Sequence, residues 1–261
     1  MAPGRGPTAA GQYVLVFSSM AVSISRMFRA LFSLRALGRA WRWGWRLALL
    51  LLVLDVAYLA AIWPQWQRYA SGPLHKSSFM LAYQAEQQQR DDWPRLRWNP
   101  VPIEQIAPTI RRAVVVAEDA RFYEHDGIDL KAFTEAMEHN LERGRVVYGA
   151  STISQQTVKN LFLTPSRNPL RKWHELWLTL GMEHNLSKRR ILEQYLNLAE
   201  FGRGIYGVDA AAWHYYGIPA SRLRTWQAIE LAATLPSPVR NNPATRTRAF
   251  QARVKRIWRY Y

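Results

Sequence analysis

Apolar positions fall into two regimes along this 261-residue chain. From Leu47 to Trp63 they run on, LALLLLVLDVAYLAAIW, interrupted by Asp55. From Pro108 onward they recur every three or four positions, the spacing of one face of an α-helix. Pro108 opens a predicted helix through Arg121, with proline where its missing N–H is not needed. Asp129 caps a second, Leu130 to Leu141, which Gly144 ends, and Ser151 or Thr152 opens a third reaching Phe162. Asn168-Pro169 opens a long helix through Glu183, and Ser187 caps Lys188 to Leu198. Gly202, Gly204 and Gly207 punctuate a loop; Val208 to Tyr216, Ser221 to Leu235 and Arg246 to Tyr260 complete the set. Further upstream, Phe79 to Arg90 reads as a short polar helix, and residues 91–102 as a linker packed on the domain. Strand patterning is almost absent, so the expected fold is mainly α.

The long apolar run changes the picture from a soluble helical domain to an anchored one. It just reaches the roughly 17–25 residues that a spanning helix needs. Trp41, Trp43 and Trp45 lie on one side and Trp63 and Trp66 on the other, as interfacial belts require. Arg5, Arg26, Arg29, Arg35, Arg39, Arg42 and Arg46 precede the first acid, Asp55, which places the N-terminus in the cytoplasm. A cleaved signal peptide would also carry an apolar run, but here the core is long and Trp and Pro stand where small cleavage residues belong. Asp55 costs roughly 2.5–3.5 kcal/mol at mid-span on insertion scales, unless it meets another membrane helix. The expected layout is a basic cytoplasmic segment 1–46, a transmembrane helix 47–63, a membrane-proximal linker 64–102 and a catalytic domain 103–261. Met20 and Met27 each precede basic, anchor-like sequence and are alternative expected translation starts. A formal charge of +16 adds a demand for anionic surroundings, and the lack of cysteine removes disulfides and thiolate metal sites.

Candidate chemistry lies in four polar signatures. The first, Glu118-Asp119-x-x-Phe122-x-x-His125-x-Gly127, directly follows Val114-Val115-Val116-Ala117. Apolar surroundings hold a carboxylate's pKa up, which suits Glu118 to act as a general base. The plain alternative is a surface glutamate at a helix C-terminus, where the macrodipole disfavours it. Asp119, His125 and Asp126 read as shapers of the turn. The second signature, Gly149 to Asn160, offers Ser151 and Thr152 as a cap and Gln155 and Gln156 facing inward or towards substrate. Lys159 falls on the same face, three or four residues on. Amides beside a lysine suit sugar hydroxyls and a phosphate; standing alone, the segment reads better as a polar first turn with a solvated lysine. In the third, Arg167, Arg171 and Lys172 precede Glu175, and Arg171–Glu175 is also an ordinary i, i+4 helix pair. The fourth, Lys188 to Asn197, reads as core packing with a polar scaffold in which Glu193 is structural.

Taken in order, these segments resemble the family 51 glycosyltransferases, the peptidoglycan polymerases. The resemblance rests on Glu118–Gly127, Gly149–Asn160, Arg171–Glu175, Lys188–Asn197, Gly202 or Gly204 through Ala212, and Leu-Pro-x-Pro at Leu235–Pro238. It covers about Ile103 to the C-terminus, with no transpeptidase segment following, which points to the monofunctional kind. It implies a lysozyme-like helical lobe and a small membrane-associated jaw lobe, for which Phe133 to Val147 and Leu161 to Pro169 are candidates.

The resemblance also implies an activity: inverting polymerisation of lipid II into β-1,4-linked strands with release of undecaprenyl diphosphate. Glu118 and Glu175 would be its catalytic acids, Glu118 as the base on the acceptor 4-hydroxyl and Glu175 near the donor phosphates, directly or through a metal. Lys159, Arg167 and Arg171 would neutralise the pyrophosphate, and Ser151, Gln155, Gln156 and Asn160 would position sugar and phosphate. No cofactor is strictly required; a divalent metal, Mg2+ or Mn2+, at Glu175 is the one candidate. Expected partners are lipid II, the growing strand, inner-membrane phospholipid and proteins of the elongation or division machinery, and not nucleic acid. The expected place is the inner membrane, single-pass, with the catalytic domain in the periplasm. Two other readings use the same residues: a lysozyme-like peptidoglycan-cleaving enzyme, which would have little use for the cations, and a catalytically silent scaffold of the cell-wall machinery.

Overall fold

A computed structural model describes residues 41–144, 151–164 and 168–261. Arg167 and the candidate starts Met20 and Met27 lie outside the described residues, as do the opening Gly149-Ala150 of the second signature, the end of the first jaw candidate and residues 165–167 inside the second. The chain divides into a unit ending at Trp63 and a unit from Pro64 to Tyr261. In the first, helix α1 covers residues 41–61 of the described chain and is apolar enough to cross a membrane, with none of its apolar window buried in protein. It takes in Trp41, Trp43, Trp45, Arg42 and Arg46 of the flank expected before the span, and it stops just before Pro64, with Trp63 and Trp66 beyond its end. Proline cannot donate to the helix and clashes with its preceding turn.

The second unit is built from helices α2 (Trp66–Ser71), α3 (Ser78–Gln87), α4 (Pro108–Glu118), α5 (Leu130–Glu142), α6 (Ile153–Phe162), α7 (Pro169–Asn185), α8 (Lys188–Leu198), α9 (Val208–Tyr216), α10 (Thr225–Thr234) and α11 (Arg248–Tyr260). Among the described residues three short strands join them: β1 (Arg97–Trp98), β2 (Glu200–Gly202) and β3 (Ile205–Tyr206), in the order β1-β3-β2. The β2–β3 pair is antiparallel, and β1 runs parallel to β3 with Arg97 opposite Ile205. The glycine-rich segment read as a loop is therefore a hairpin, too short to show period-2 patterning. Gly207, at φ +83°, follows it; a Cβ there would stand 2.8 Å from the Asn197 carbonyl oxygen, so the close approach requires glycine.

Two sets of helices hold the site. In one, α4 packs on α10 and α11; in the other, α6 packs on α7 and α8. Helix α8 is the centre of the core, with Ile191, Leu192, Tyr195, Leu196 and Leu198 buried. Its polar residues tie down flanking chain, as the scaffold reading of this segment expects. Asn197 accepts from the Val101 amide at 2.9 Å and donates to the Val101 carbonyl at 3.0 Å. Arg190 donates to the Tyr69 and Gly72 carbonyls at the end of α2 and pairs with Glu193 at 2.9 Å.

Helix α5 differs from the rest. None of its residues is buried, and Leu130, Phe133, Met137 and Leu141 form an exposed apolar stripe at helical spacing. On α7, Leu170, Trp173, Trp177 and Leu180 do the same while the opposite face buries His174, Glu175, Leu178 and Met182.

Candidate active site

Helix α4 ends at Glu118, three residues earlier than the periodicity suggests. Asp119 stops it by leaving the helical conformation and turning its carboxylate to other partners. It accepts from the Ile153 amide, the first residue of α6, at 2.9 Å and from His125 Nε2 at 3.0 Å. The Gly127 amide donates to His125 Nδ1 at 3.1 Å, so Nδ1 is the bare nitrogen and Nε2 carries the proton given to Asp119. Thr152 caps α6, exchanges a capping box with Gln155, and donates its hydroxyl to the Gly127 carbonyl at 2.6 Å. The first two signatures are thus one clasp, which delivers Glu118 and Gln156 to the same spot.

Glu118 sits where a negative charge is disfavoured twice, by burial and by the negative end of α4. Its carboxylate nevertheless has defined partners: Arg253 at 2.5 Å on Oε1 and the Gln156 amide at 3.1 Å on Oε2. Tyr195 donates to the other end of that amide at 3.1 Å, which fixes Gln156 with its NH2 towards the carboxylate. Burial dominates, so the Glu118 pKa is raised, with Arg253, Gln156 and then Lys159 opposing it. Burial, and next the Glu118 charge, push the Tyr195 hydroxyl well up, so it stays protonated as the donor. Each Glu118 oxygen keeps a second lone pair for an incoming hydroxyl.

This carboxylate lines a cleft of about 650 Å³, together with Ser151, Gln156, Pro236, Arg253, Arg256 and Tyr260. A second hollow, of about 280 Å³, adjoins it at Glu118 and Ser151 and runs towards α5. A third, of about 150 Å³, adjoins it at Gln156 and is lined by Lys159, Asn160 and Tyr195. The result is a groove with Glu118 in its middle.

Beside the groove lies a cationic cluster organised by Glu175. That residue is 2% exposed, and both its oxygens are engaged, Oε2 by Arg171 at 2.9 Å and Oε1 by Lys172 at 2.5 Å. Lys172 reaches on to Ser151 Oγ at 3.3 Å. The Lys159 pKa is lowered, first by burial and also by Arg171 and Lys172, while Glu175 and Glu118 pull it the other way. Lys159 therefore feels both acids. A cation stripped of water beside two other cations is a receptor for an anion.

Glu118, Gln156, Ser151, Lys159, Asn160, Arg171 and Glu175 come together, but Gln155 is occupied in the capping box at 6% exposure. As a metal ligand Glu175 does not fit, since a divalent ion would have to displace two cations and join their company. Among the described residues the one trio of potential ligands is Asp119, His125 and Asp129. Their donors are already taken up by the Ile153 amide, the Gly127 amide and Arg121.

Sequence reasoning passed over Arg253, Tyr195 and the second role of Lys172. A signal for Arg253 was present. Phe250 and Ile257 are the buried residues of α11, and Arg253 falls between them on the same stripe. An arginine in the apolar stripe of a helix calls for a buried acid to face it.

An acid poised as a base, in a groove beside a receptor for phosphate charge, defines a glycosyl transfer site. The Transglycosylase family profile matches residues 85–260, and the chain belongs to this family. It is a peptidoglycan glycosyltransferase and membrane-anchored. It is 44% identical over 197 residues to the biosynthetic peptidoglycan transglycosylase of Nitrosospira multiformis, covering 76% of this chain and 86% of that one. It is 47% identical over 201 residues to the protein of that name in Azoarcus sp., with 76% and 86% covered. The like-named protein of Aeromonas hydrophila is 48% identical over 193 residues, covering 74% of this chain and 77% of its own.

Proposed function

We propose that the enzyme polymerises lipid II, with Glu118 as the general base and the Lys159–Arg171–Lys172 cluster receiving the leaving diphosphate. The observation that carries this reading is the placement of a buried, raised-pKa carboxylate at the middle of the groove, with the desolvated Lys159 and two further cations alongside. Glu118 accepts the proton of the acceptor 4-hydroxyl as that oxygen attacks the donor's anomeric carbon. The bond from that carbon to phosphate breaks, its electron pair leaving with the lipid diphosphate. Charge developing on the leaving oxygens is met by the cations, which does the work a general acid does at an uncharged leaving group. Attack from the side opposite the diphosphate inverts the centre and gives a β-1,4 link.

Glu175 acts through the cations it holds and is a positioning residue. Ser151 and Gln156 line the groove beside Glu118, where they position sugar and phosphate, and Arg167 belongs to the same basic segment as Arg171. The apolar stripes of α5 and α7 support a seat in lipid, where a polyprenyl substrate resides. The arginines before α1 support a cytoplasmic N-terminus and a periplasmic catalytic unit at the inner membrane.

The test is incubation of the detergent-solubilised protein with labelled lipid II beside Glu118→Gln, with and without a divalent metal. Polymer from the wild type, and at least a hundredfold less from the variant, is the expected result. Equal polymer from both overturns the role of Glu118; soluble fragments released from finished cell wall, with none made from lipid II, overturn the polymerase.

A further inference from the structure

Glu200 lies outside every role given above, yet it is a half-buried acid at the end of the groove. It opens β2 and lines the hollow of about 150 Å³ that adjoins the cleft at Gln156. Among the described residues no cation forms an ion pair with it: its carboxylate takes the Gly204 backbone as partner, and Arg203 acts on it only through its charge. Tyr206, opposite it on β3, is 4% exposed and lines the same hollow, and its hydroxyl has no protein partner among the described residues. The Tyr206 hydroxyl thus faces the space with no protein partner among the described residues, and the Glu200 carboxylate keeps acceptor capacity beyond its bond from Gly204. Lys159 and Asn160 contribute to the polar wall, and Phe79, Leu198, Leu235 and Pro238 to an apolar one.

The charges limit the occupant. An anion would meet Glu200 and a cation would meet Lys159, so the ligand is neutral. It must also give one hydrogen bond, to Glu200, accept another, from Tyr206 or Lys159, and set an apolar end against Leu198 and Pro238. An acetamido group has that inventory: one N–H, one carbonyl and one methyl. A hydroxyl meets the polar demand and leaves the apolar wall empty.

We infer that the hollow between Glu200, Tyr206 and Lys159 binds the acetamido group of an N-acetylated sugar ring of the glycan substrate, and so reads the sugar beside the bond being made. This rests on the polymerase reading for the identity of the glycan. Burial raises the Glu200 pKa to about 7, so the carboxyl stays neutral in part of the working range and lets such a ligand approach without stranding a full charge.

The test uses the full-length protein in detergent, with chitotetraose as the acetylated probe and cellotetraose, which has hydroxyls in place of the acetamido groups, as its comparator. Wild type is expected to prefer chitotetraose by about tenfold, the value of one to two well-made hydrogen bonds plus a buried methyl. Glu200→Met and Tyr206→Phe should each reduce that preference to about threefold or less, while Glu200→Gln, which keeps an acceptor, should retain most of it. Circular dichroism confirms that the variants are folded. Equal binding of the two sugars, no binding of either at millimolar concentration, or an unchanged preference in both Glu200→Met and Tyr206→Phe overturns the inference. Lipid II polymerisation is measured on the same preparations. Polymerisation without sugar preference removes the acetamido site and leaves the polymerase; preference without polymerisation does the reverse.

Discussion

Replacing Arg253 by glutamine should move the acid side of the pH–rate profile upward, because Arg253 is the strongest of the groups that hold Glu118 ionised. The pair is close, 2.5 Å, and shielded, with side chains 18% and 10% exposed. Two unit charges about 4 Å apart interact by about 4 kcal/mol at an effective dielectric constant of 20. At 1.36 kcal/mol for each pH unit, that caps the displacement at about three units. Water entering the space vacated by the guanidinium, together with the retained bond from Gln156, should reduce it to about one or two. The sign follows from the role of the base. Glu118 works ionised, so the rate falls as pH drops through its pKa, and that pKa is already raised by burial. Losing Arg253 raises it further, and the rate on the acid limb of the profile falls by about ten- to a hundredfold at a given pH.

The assay is initial-rate polymerisation of lipid II in detergent from pH 5 to pH 9.5, for wild type, Arg253→Gln and Arg253→Lys. The glutamine variant should recover towards the wild-type rate on the alkaline side, and the lysine variant should lie between. Leaving a buried acid without its partner costs roughly 3–5 kcal/mol of stability, so melting is followed in parallel and rates are taken where every variant is folded. A rate that stays low at every pH would assign Arg253 to the substrate rather than to the base. An unshifted acid limb at full rate would refute the reasoning outright.

Other expectations use the same logic. Glu200 carries a pKa of about 7 against an ordinary 4.5, so the folded state holds a proton that the unfolded chain has released between those values, and stability falls as pH rises through that window. Glu200→Gln should therefore raise stability at pH 8 relative to pH 5 by up to roughly 3 kcal/mol, less whatever solvent contact screens, and urea midpoints at the two pH values that track wild type would contradict this. Thr152→Ala, which opens the capping box and the bond to Gly127, should cost about 1–2 kcal/mol in the same titration. Lys159→Met should slow polymerisation by about a hundredfold with little loss of stability, since its charge is held at a desolvation cost; a variant with unchanged kcat and KM would remove it from the phosphate receptor.

The helices were legible because their ends carry chemistry that acts locally. Ser187, Asn168, Asp129 and Thr152 all cap as their side chains dictate, and Pro108 and Pro169 sit in first turns. Helix α4 ended early because Asp119 is drawn away by partners 6 and 34 residues distant, His125 and Ile153, which no local rule registers. The β2–β3 hairpin and its parallel neighbour β1 were hidden for a similar reason, being two or three residues long and defined by a distant partner. Of the candidate site, Glu118 was readable from its apolar approach, and Arg171–Glu175 from helical spacing. The capping role of Gln155 was readable too, as the fourth residue of Thr-x-x-Gln, but the adjacent Gln156 drew the same functional reading.

The position of Arg253 bears on how the site is assembled. Glu118 ends a helix whose dipole opposes its charge, inside a wall that strips it of water, and the groups that compensate come from three other helices. Gln156 is on α6, Tyr195 behind it on α8, and Arg253 on α11, 135 residues further along the chain. Helix α11 packs directly on α4, and α10 packs against both. The base is thus in working order only when the last helix is docked. A chain folded only through α10 would lack both the cation that holds Glu118 ionised and the Ile257 and Tyr260 wall of its cleft. Helix α11 is in that sense part of the catalytic apparatus, and its buried stripe of Phe250, Arg253 and Ile257 serves packing and proton transfer through the same contact.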